Sequence, residues 1–114
     1  MAKLKLMLVD DHAVVRSGFK VLLQTWDDVD VVAEANSGEE ALALYTLHRP
    51  EVVVMDIAMA GMGGIEATKR LLALDPQVRI LALSAHEDSS YAKRALQAGA
   101  LGYLSKRTAP EVLI

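Results

Sequence analysis

Five short apolar runs, at 4–9, 29–35, 52–55, 79–83 and 101–104, alternate along the chain with longer amphipathic stretches. Successive runs begin roughly 22 to 27 residues apart, room enough for a helical crossover between parallel strands. Runs such as Val52-Val53-Val54-Met55 are apolar on both faces, as strands covered by helices on each side must be. The intervening stretches repeat with helical period. Val15, Phe19, Leu22, Leu23 and Trp26 form one stripe, and Ile65, Thr68, Leu71 and Leu72 another, stopped by Asp75-Pro76. Ser37 and Glu40 have the spacing of a capping box ahead of a face made by Ala41, Leu42 and Tyr45. A fourth helix is expected from about residue 88 to 98, with Gly99 as its cap and an inner face of alanines, Tyr91 and Leu96. That face is thin, so this helix is expected to be the least firmly anchored.

Five alternating strand and helix units predict an open, doubly wound parallel sheet in one domain. In such sheets ligands bind beyond the carboxyl ends of the strands, where the strand order reverses. Composition changes little in this picture. The chain has 114 residues, 53% hydrophobic and 24% charged, which suits a compact domain. With no cysteine it has neither a disulfide framework nor a thiolate metal site, consistent with a reducing cytosol. A net charge of -3 with scattered basic residues argues against direct nucleic-acid binding. No apolar run approaches the roughly 20 residues that span a bilayer. The apolar N-terminus is interrupted by Asp10 and Asp11, so it reads as a strand rather than a signal peptide.

The strand ends carry the candidate chemistry. Asp10 and Asp11 follow the first strand, Asp56 the third, Ser84 the fourth, and Ser105-Lys106 the fifth. Each has an ordinary alternative: a helix cap for Asp11 or Ser84, a turn residue for Asp56, a solvated charge for Lys106. Together they converge on one edge of the sheet, which independent surface residues have no reason to do. Clustered carboxylates repel one another, and Mg²⁺, which favours a few carboxylates with several waters, relieves that repulsion. A hydroxyl and an ammonium nearby complete what phosphoryl transfer requires, chiefly positioning and charge neutralisation.

Met7-Leu8-Val9-Asp10-Asp11-His12, Val54-Met55-Asp56-Ile57-Ala58-Met59, Leu83-Ser84-Ala85 and Gly102-Tyr103-Leu104-Ser105-Lys106 closely resemble the receiver domain of bacterial two-component response regulators. Val15-Arg16-Ser17-Gly18 and His86 are similar to receivers that precede a LuxR/NarL-type helix-turn-helix output domain. The resemblance spans essentially the whole chain and implies a flavodoxin-like five-stranded sheet of order 2-1-3-4-5. It implies that Asp56 accepts a phosphoryl group from a sensor histidine kinase, with Lys106 and Ser84 contacting that group. Mg²⁺, or Mn²⁺ in its place, would be held by Asp10, Asp11, Asp56 and the backbone carbonyl of Ala58. Ser84 and Tyr103 would move as the switch, and His86 would tune hydrolysis. His12 and His86 read as neighbouring loop residues rather than ligands, because no further His or Cys supports a zinc site. The implied partners are the sensor kinase, a C-terminal output domain of the same protein, and a second copy on phosphorylation. The implied setting is cytoplasmic, with no membrane or direct nucleic-acid contact.

Ala60 stands where the family commonly has proline, which should loosen the loop 59–64. Thr108, Pro110 and Glu111 resemble the start of a fifth helix, which Ile114 leaves at about one turn. A truncated fifth helix, an output domain beyond residue 114, and an apolar strip left on the sheet or first helix are therefore expected. A haloacid-dehalogenase-like phosphatase is the enzymatic alternative. That class needs an aspartate two residues past its nucleophile, where this chain has Ala58. A pure interaction module is the other alternative, and Asp10, Asp11, Asp56, Ser84 and Lys106 together argue against it.

Overall fold

The computed structural model describes residues 4–25, 27–57, 63–84 and 89–105, with the side chains of Ser84, residues 89–92, Leu104 and Ser105 excepted. In chain order the elements are β1 (Leu4–Val9), α1 (Ala13–Gln24), β2 (Val29–Ala35), α2 (Gly38–His48), β3 (Val52–Asp56), α3 (Gly63–Leu74), β4 (Arg79–Ser84), α4 (Ser89–Ala98) and β5 (Gly102–Ser105). The strands form one sheet in the order β2-β1-β3-β4-β5, and every pair is parallel. β3 and β4 each run one residue further than their apolar runs, because Asp56 and Ser84 still pair with Leu83 and Ser105.

Two apolar layers sandwich the sheet. Alternation along each strand sends Leu6, Leu8 and Val54 to the side of α1, where they pack with Phe19 and Leu23. It sends Met7, Val9, Val53 and Met55 to the opposite side, against Ala41 and Tyr45 of α2 and Ala67 and Leu71 of α3. Asp10 and Asp56 continue the Leu6–Leu8 and Val54 parity, so the backbone carries both toward the α1 side.

The caps follow local chemistry. Ser37 Oγ accepts the Glu40 N–H at 3.0 Å, while Glu40 Oε1 accepts from Asn36 N at 3.1 Å. The box thus closes one residue earlier than its standard form. Ser37→Ala is expected to cost about 1 kcal/mol, read as a lower urea midpoint at unchanged slope. α4 ends in a Schellman motif, with Gly99 at φ +112°, Ala100 N–H donating to Ala95 O and Gly99 N–H to Leu96 O, both at 3.0 Å. Its inner face differs from expectation. Ala95 is buried but Leu96 is 50% exposed. Ala95 lies on the buried face, and Leu96, about 100° further round the helix, turns away from it. The Tyr91 side chain, Trp26, the loop 59–62 containing Ala60, and Thr108, Pro110 and Glu111 lie outside the described residues. α1 carries Val14 and Val21 outward, 86% and 65% exposed.

At the amino ends of the strands, α2 is bolted to the α3–β4 turn. The buried Tyr45 donates its hydroxyl to Asp75 Oδ2 at 2.6 Å, and Asp75 Oδ1 accepts the Gln77 N–H at 2.9 Å. Burial first, and the Asp75 carboxylate second, push the Tyr45 phenol above its ordinary value. The Tyr45 hydroxyl, then the Gln77 amide, hold the Asp75 carboxyl below the usual carboxylate range. Asp75 thus adds stability at pH values above its unfolded pKa, lost as pH falls through the lower folded value. Tyr45 adds stability below about pH 10, lost as pH rises through its raised value. Tyr45→Phe is expected to lower the urea midpoint at pH 7 and to flatten its fall at both extremes. Urea titrations from acid to alkaline pH check this.

Candidate functional site

The sheet reverses its order between β1 and β3, and the register there pairs Val9 with Met55. The residue after each of these is an aspartate, so Asp10 and Asp56 stand side by side at the carboxyl edge, both buried. Asp56 is the last residue of β3, paired with Leu83, and not a turn residue. Asp11 does not cap α1. The N-cap is His12, in extended backbone and with no side-chain capping bond, which leaves the exposed Asp11 carboxylate directed to the cluster.

The turn from β1 into α1 is held from two sides. Asp10 Oδ1 accepts the His12 N–H at 2.8 Å, bending the chain back over the strand end. Arg16, one helical turn on, donates to the Asp10 carbonyl and lies 3.4 Å from Glu34 on β2. Lys20 meets the same Glu34 at 2.9 Å. Arg16 was not recognised as an anchor from sequence, although its position on the strip facing β2 is where one would be sought.

The bend also brings the imidazole of His12 into the cluster. Nδ1 lies 3.1 Å from Asp10 Oδ1, 3.2 Å from Asp11 Oδ1 and 3.9 Å from Asp56 Oδ2. His12, read from sequence as a neighbouring loop residue, is thus the N-cap of α1 with its ring beside the carboxylates. One donor atom from each of Asp10, Asp11, His12 and Asp56 falls within 4.8 Å of the others. Three carboxylates so close repel one another, and that spread matches the ligand spacing around one small divalent cation. The donor set fits a metal ion that prefers oxygen.

The remaining candidates are placed by backbone. Ser84 closes β4 beside Ser105 of β5, both at the carboxyl edge of the sheet. Lys106, Ala58, Ala85 and His86 lie outside the described residues. Tyr103 is half-buried on β5 opposite Ala82 and packs against the core cluster on the α2–α3 side of the sheet. A cavity of about 260 Å³ lies at the other end of the sheet, lined by Tyr45, Arg49, Glu51, Asp75 and Arg79, whose opposite charges largely offset.

A doubly wound sheet with adjoining aspartates at its switch point is an α/β domain with an acidic ligand site at the strand-order reversal, and likeness to known proteins gives its class. Residues 6–114 match the model of the response regulator receiver domain, and the chain belongs to that family. Within it, the chain is 42% identical over 103 residues to the response regulator GacA of Pseudomonas syringae pv. syringae (strain B728a), covering 90% of this chain and 48% of GacA. It is 38% identical over 111 residues to the response regulator UvrY of Escherichia coli (strain K12), covering 97% of this chain and 51% of UvrY. The crystal structure of a LuxR-family two-component response regulator from Aurantimonas sp. SI85-9A1 superposes with a TM-score of 0.92 at 42% identity, covering 98% of this chain and 80% of that one. The receiver domain of the putative response regulator NarL from Mycobacterium tuberculosis gives 0.91 at 33% identity, covering 97% and 90%. The chain is therefore a receiver of the LuxR/NarL kind. It spans about half the length of the curated relatives it matches. No described helix is long and apolar enough to cross a membrane.

Proposed function

We propose that Asp56 is the phosphoacceptor of this receiver. The observation that carries the reading is a 1%-exposed carboxylate, Asp56, beside buried Asp10 at the strand-order reversal, inside a ring of metal-compatible donors. A carboxylate oxygen of Asp56 attacks the phosphorus of a phosphohistidine on a sensor kinase. The new O–P bond forms as the N–P bond breaks, and the kinase imidazole leaves with the electron pair. Acetyl phosphate serves as a small donor in the same way, with acetate leaving, so self-phosphorylation belongs to the same reading.

Mg²⁺, or Mn²⁺ in its place, would be held by Asp10, Asp11, Asp56 and the Ala58 carbonyl, and would neutralise charge on the acceptor and the phosphoryl oxygens. Lys106 supplies a further positive charge to the phosphoryl group, and the Ser84 hydroxyl donates to one of its oxygens. Tyr103 turns inward as the chain after β4 closes on the new charge. The thin inner face of α4, with Ala95 where a larger side chain would anchor, supports α4 as the element that shifts. The output is a C-terminal DNA-binding domain in the full-length protein, with pairing of two copies on phosphorylation. The setting is the cytoplasm.

Incubation with Mg²⁺ and acetyl phosphate, followed by mass spectrometry, tests the reading. One added phosphoryl group, mapped to the peptide containing Asp56, is expected. An unmodified chain, or a phosphoryl group on another residue, sinks it.

A further inference from the structure

We propose that His12 is an additional ligand of the divalent cation, and that its imidazole moves the site's preference from Mg²⁺ toward later first-row cations such as Ni²⁺. The inference rests on the acidic cluster being the cation site of the receiver, and adds a specificity determinant to it.

Geometry is the first support. Adjacent ligands of an octahedral ion with bonds of about 2.0–2.2 Å stand about 3 Å apart. His12 Nδ1 lies 3.1 Å from Asp10 Oδ1 and 3.2 Å from Asp11 Oδ1, the separations of neighbouring ligands. Its 3.9 Å to Asp56 Oδ2 is longer and still inside the 4.8 Å spread of the four donor atoms. The second support is how the ring is held. His12 is the N-cap of α1, and its side chain is not used for capping. Its own N–H is fixed by Asp10 Oδ1 at 2.8 Å, and Arg16 holds the Asp10 carbonyl from the next turn. The backbone therefore sets the ring beside the carboxylates. At 59% exposure the side chain is also open to an arriving ion.

Chemistry gives the direction of the effect. Carboxylates serve Mg²⁺ and Mn²⁺ well, whereas imidazole contributes strongly only to later first-row ions and little to Mg²⁺. A ligand set of carboxylates plus one imidazole therefore binds Ni²⁺ disproportionately. If the Nδ1 contact were only a hydrogen bond to Asp10, replacing His12 would change all cations alike, or none.

Calorimetric titration separates these cases. MgCl₂ and NiCl₂ are titrated into the whole chain in a His48→Gln, His86→Gln background, so that only one histidine remains, and into the same chain with His12→Asn or His12→Ala. The dissociation constant for Ni²⁺ is expected to rise about tenfold or more in both variants. That for Mg²⁺ should change by less than about threefold. Equal weakening of the two ions, or an unchanged Ni²⁺ affinity, overturns the role of His12. A parent chain that binds neither ion overturns the cation site itself. Parent chain that binds Mg²⁺ and takes up a phosphoryl group on Asp56, with an unchanged Ni²⁺-to-Mg²⁺ ratio in the His12 variants, removes His12 alone.

Discussion

Asp56→Asn is expected to abolish phosphoryl uptake from acetyl phosphate while leaving the chain folded. Asn has nearly the same shape, so a side chain 1% exposed at the end of β3 keeps its packing. Its amide oxygen is neutral, and neither attacks phosphorus nor leaves an acyl phosphate. The same substitution removes one of three carboxylates that lie with His12 inside 4.8 Å, so cation binding falls with it. A ligand that binds only the folded state at a hundred times its Kd stabilises that state by about 2.7 kcal/mol. Thermal melts with and without MgCl₂ are expected to show a clear rise in Tm for the unsubstituted chain and a much smaller one for Asp56→Asn. Intact-mass spectra read the phosphoryl group in the same samples. An adduct of undiminished yield in Asp56→Asn would mean that another residue is the acceptor. An unchanged Mg²⁺-dependent rise would mean that the cation binds elsewhere.

What could be read from the chain before its coordinates follows from how local each signal is. Short apolar runs bounded by polar turn residues read as strands from their length and flanks, so β1 and β2 begin and end where the apolar runs do. The strand ends carried Asp10 and Asp56 into view for the same reason, and only the register of Val9 with Met55 was needed to set them side by side. Elements with a weak pattern were less transparent. On α4 the alanines leave two candidate faces, and Leu96 was placed inward on hydrophobicity although Ala95 occupies that position. The contact of His12 with the carboxylates was not legible, because a ring two residues past an aspartate can point almost anywhere. Its direction is set by the Asp10 side chain accepting the His12 amide, a bond with no distinctive residue pattern. Arg16 and Glu34 meet across 18 positions of sequence, and their pairing depends on α1 lying over β2.

Gly64 is the clearest case of a constraint invisible from the chain alone, and Gly64→Ala is expected to impair both folding and the site. In the first turn of a helix an alanine would ordinarily be tolerated or helpful. Here the Cβ would lie 2.1 Å from the Asp56 carbonyl oxygen and 2.5 Å from the Ile57 Cα, both rigid backbone atoms. No rotamer relieves that overlap, so α3 must retreat from the end of β3 by about 1 Å or more. Retreat loosens Ala67, Thr68 and Leu71, the side chains that α3 buries against the sheet. Overpacking of this kind typically costs about 1–3 kcal/mol. It also disturbs the backbone that carries the Asp56 carboxylate. Urea unfolding of Gly64→Ala is thus expected to show a stability loss of about 2 kcal/mol, and phosphoryl uptake to slow at protein concentrations and temperatures where the chain remains folded. Gly18 provides the control, since a Cβ there meets nothing within 4 Å and the residue lies exposed in mid-α1. Gly18→Ala is expected to stabilise by about 0.5–1 kcal/mol through helix propensity alone. If both glycine variants moved stability in the same direction, the close approach of α3 to Asp56 would not be what demands glycine at position 64.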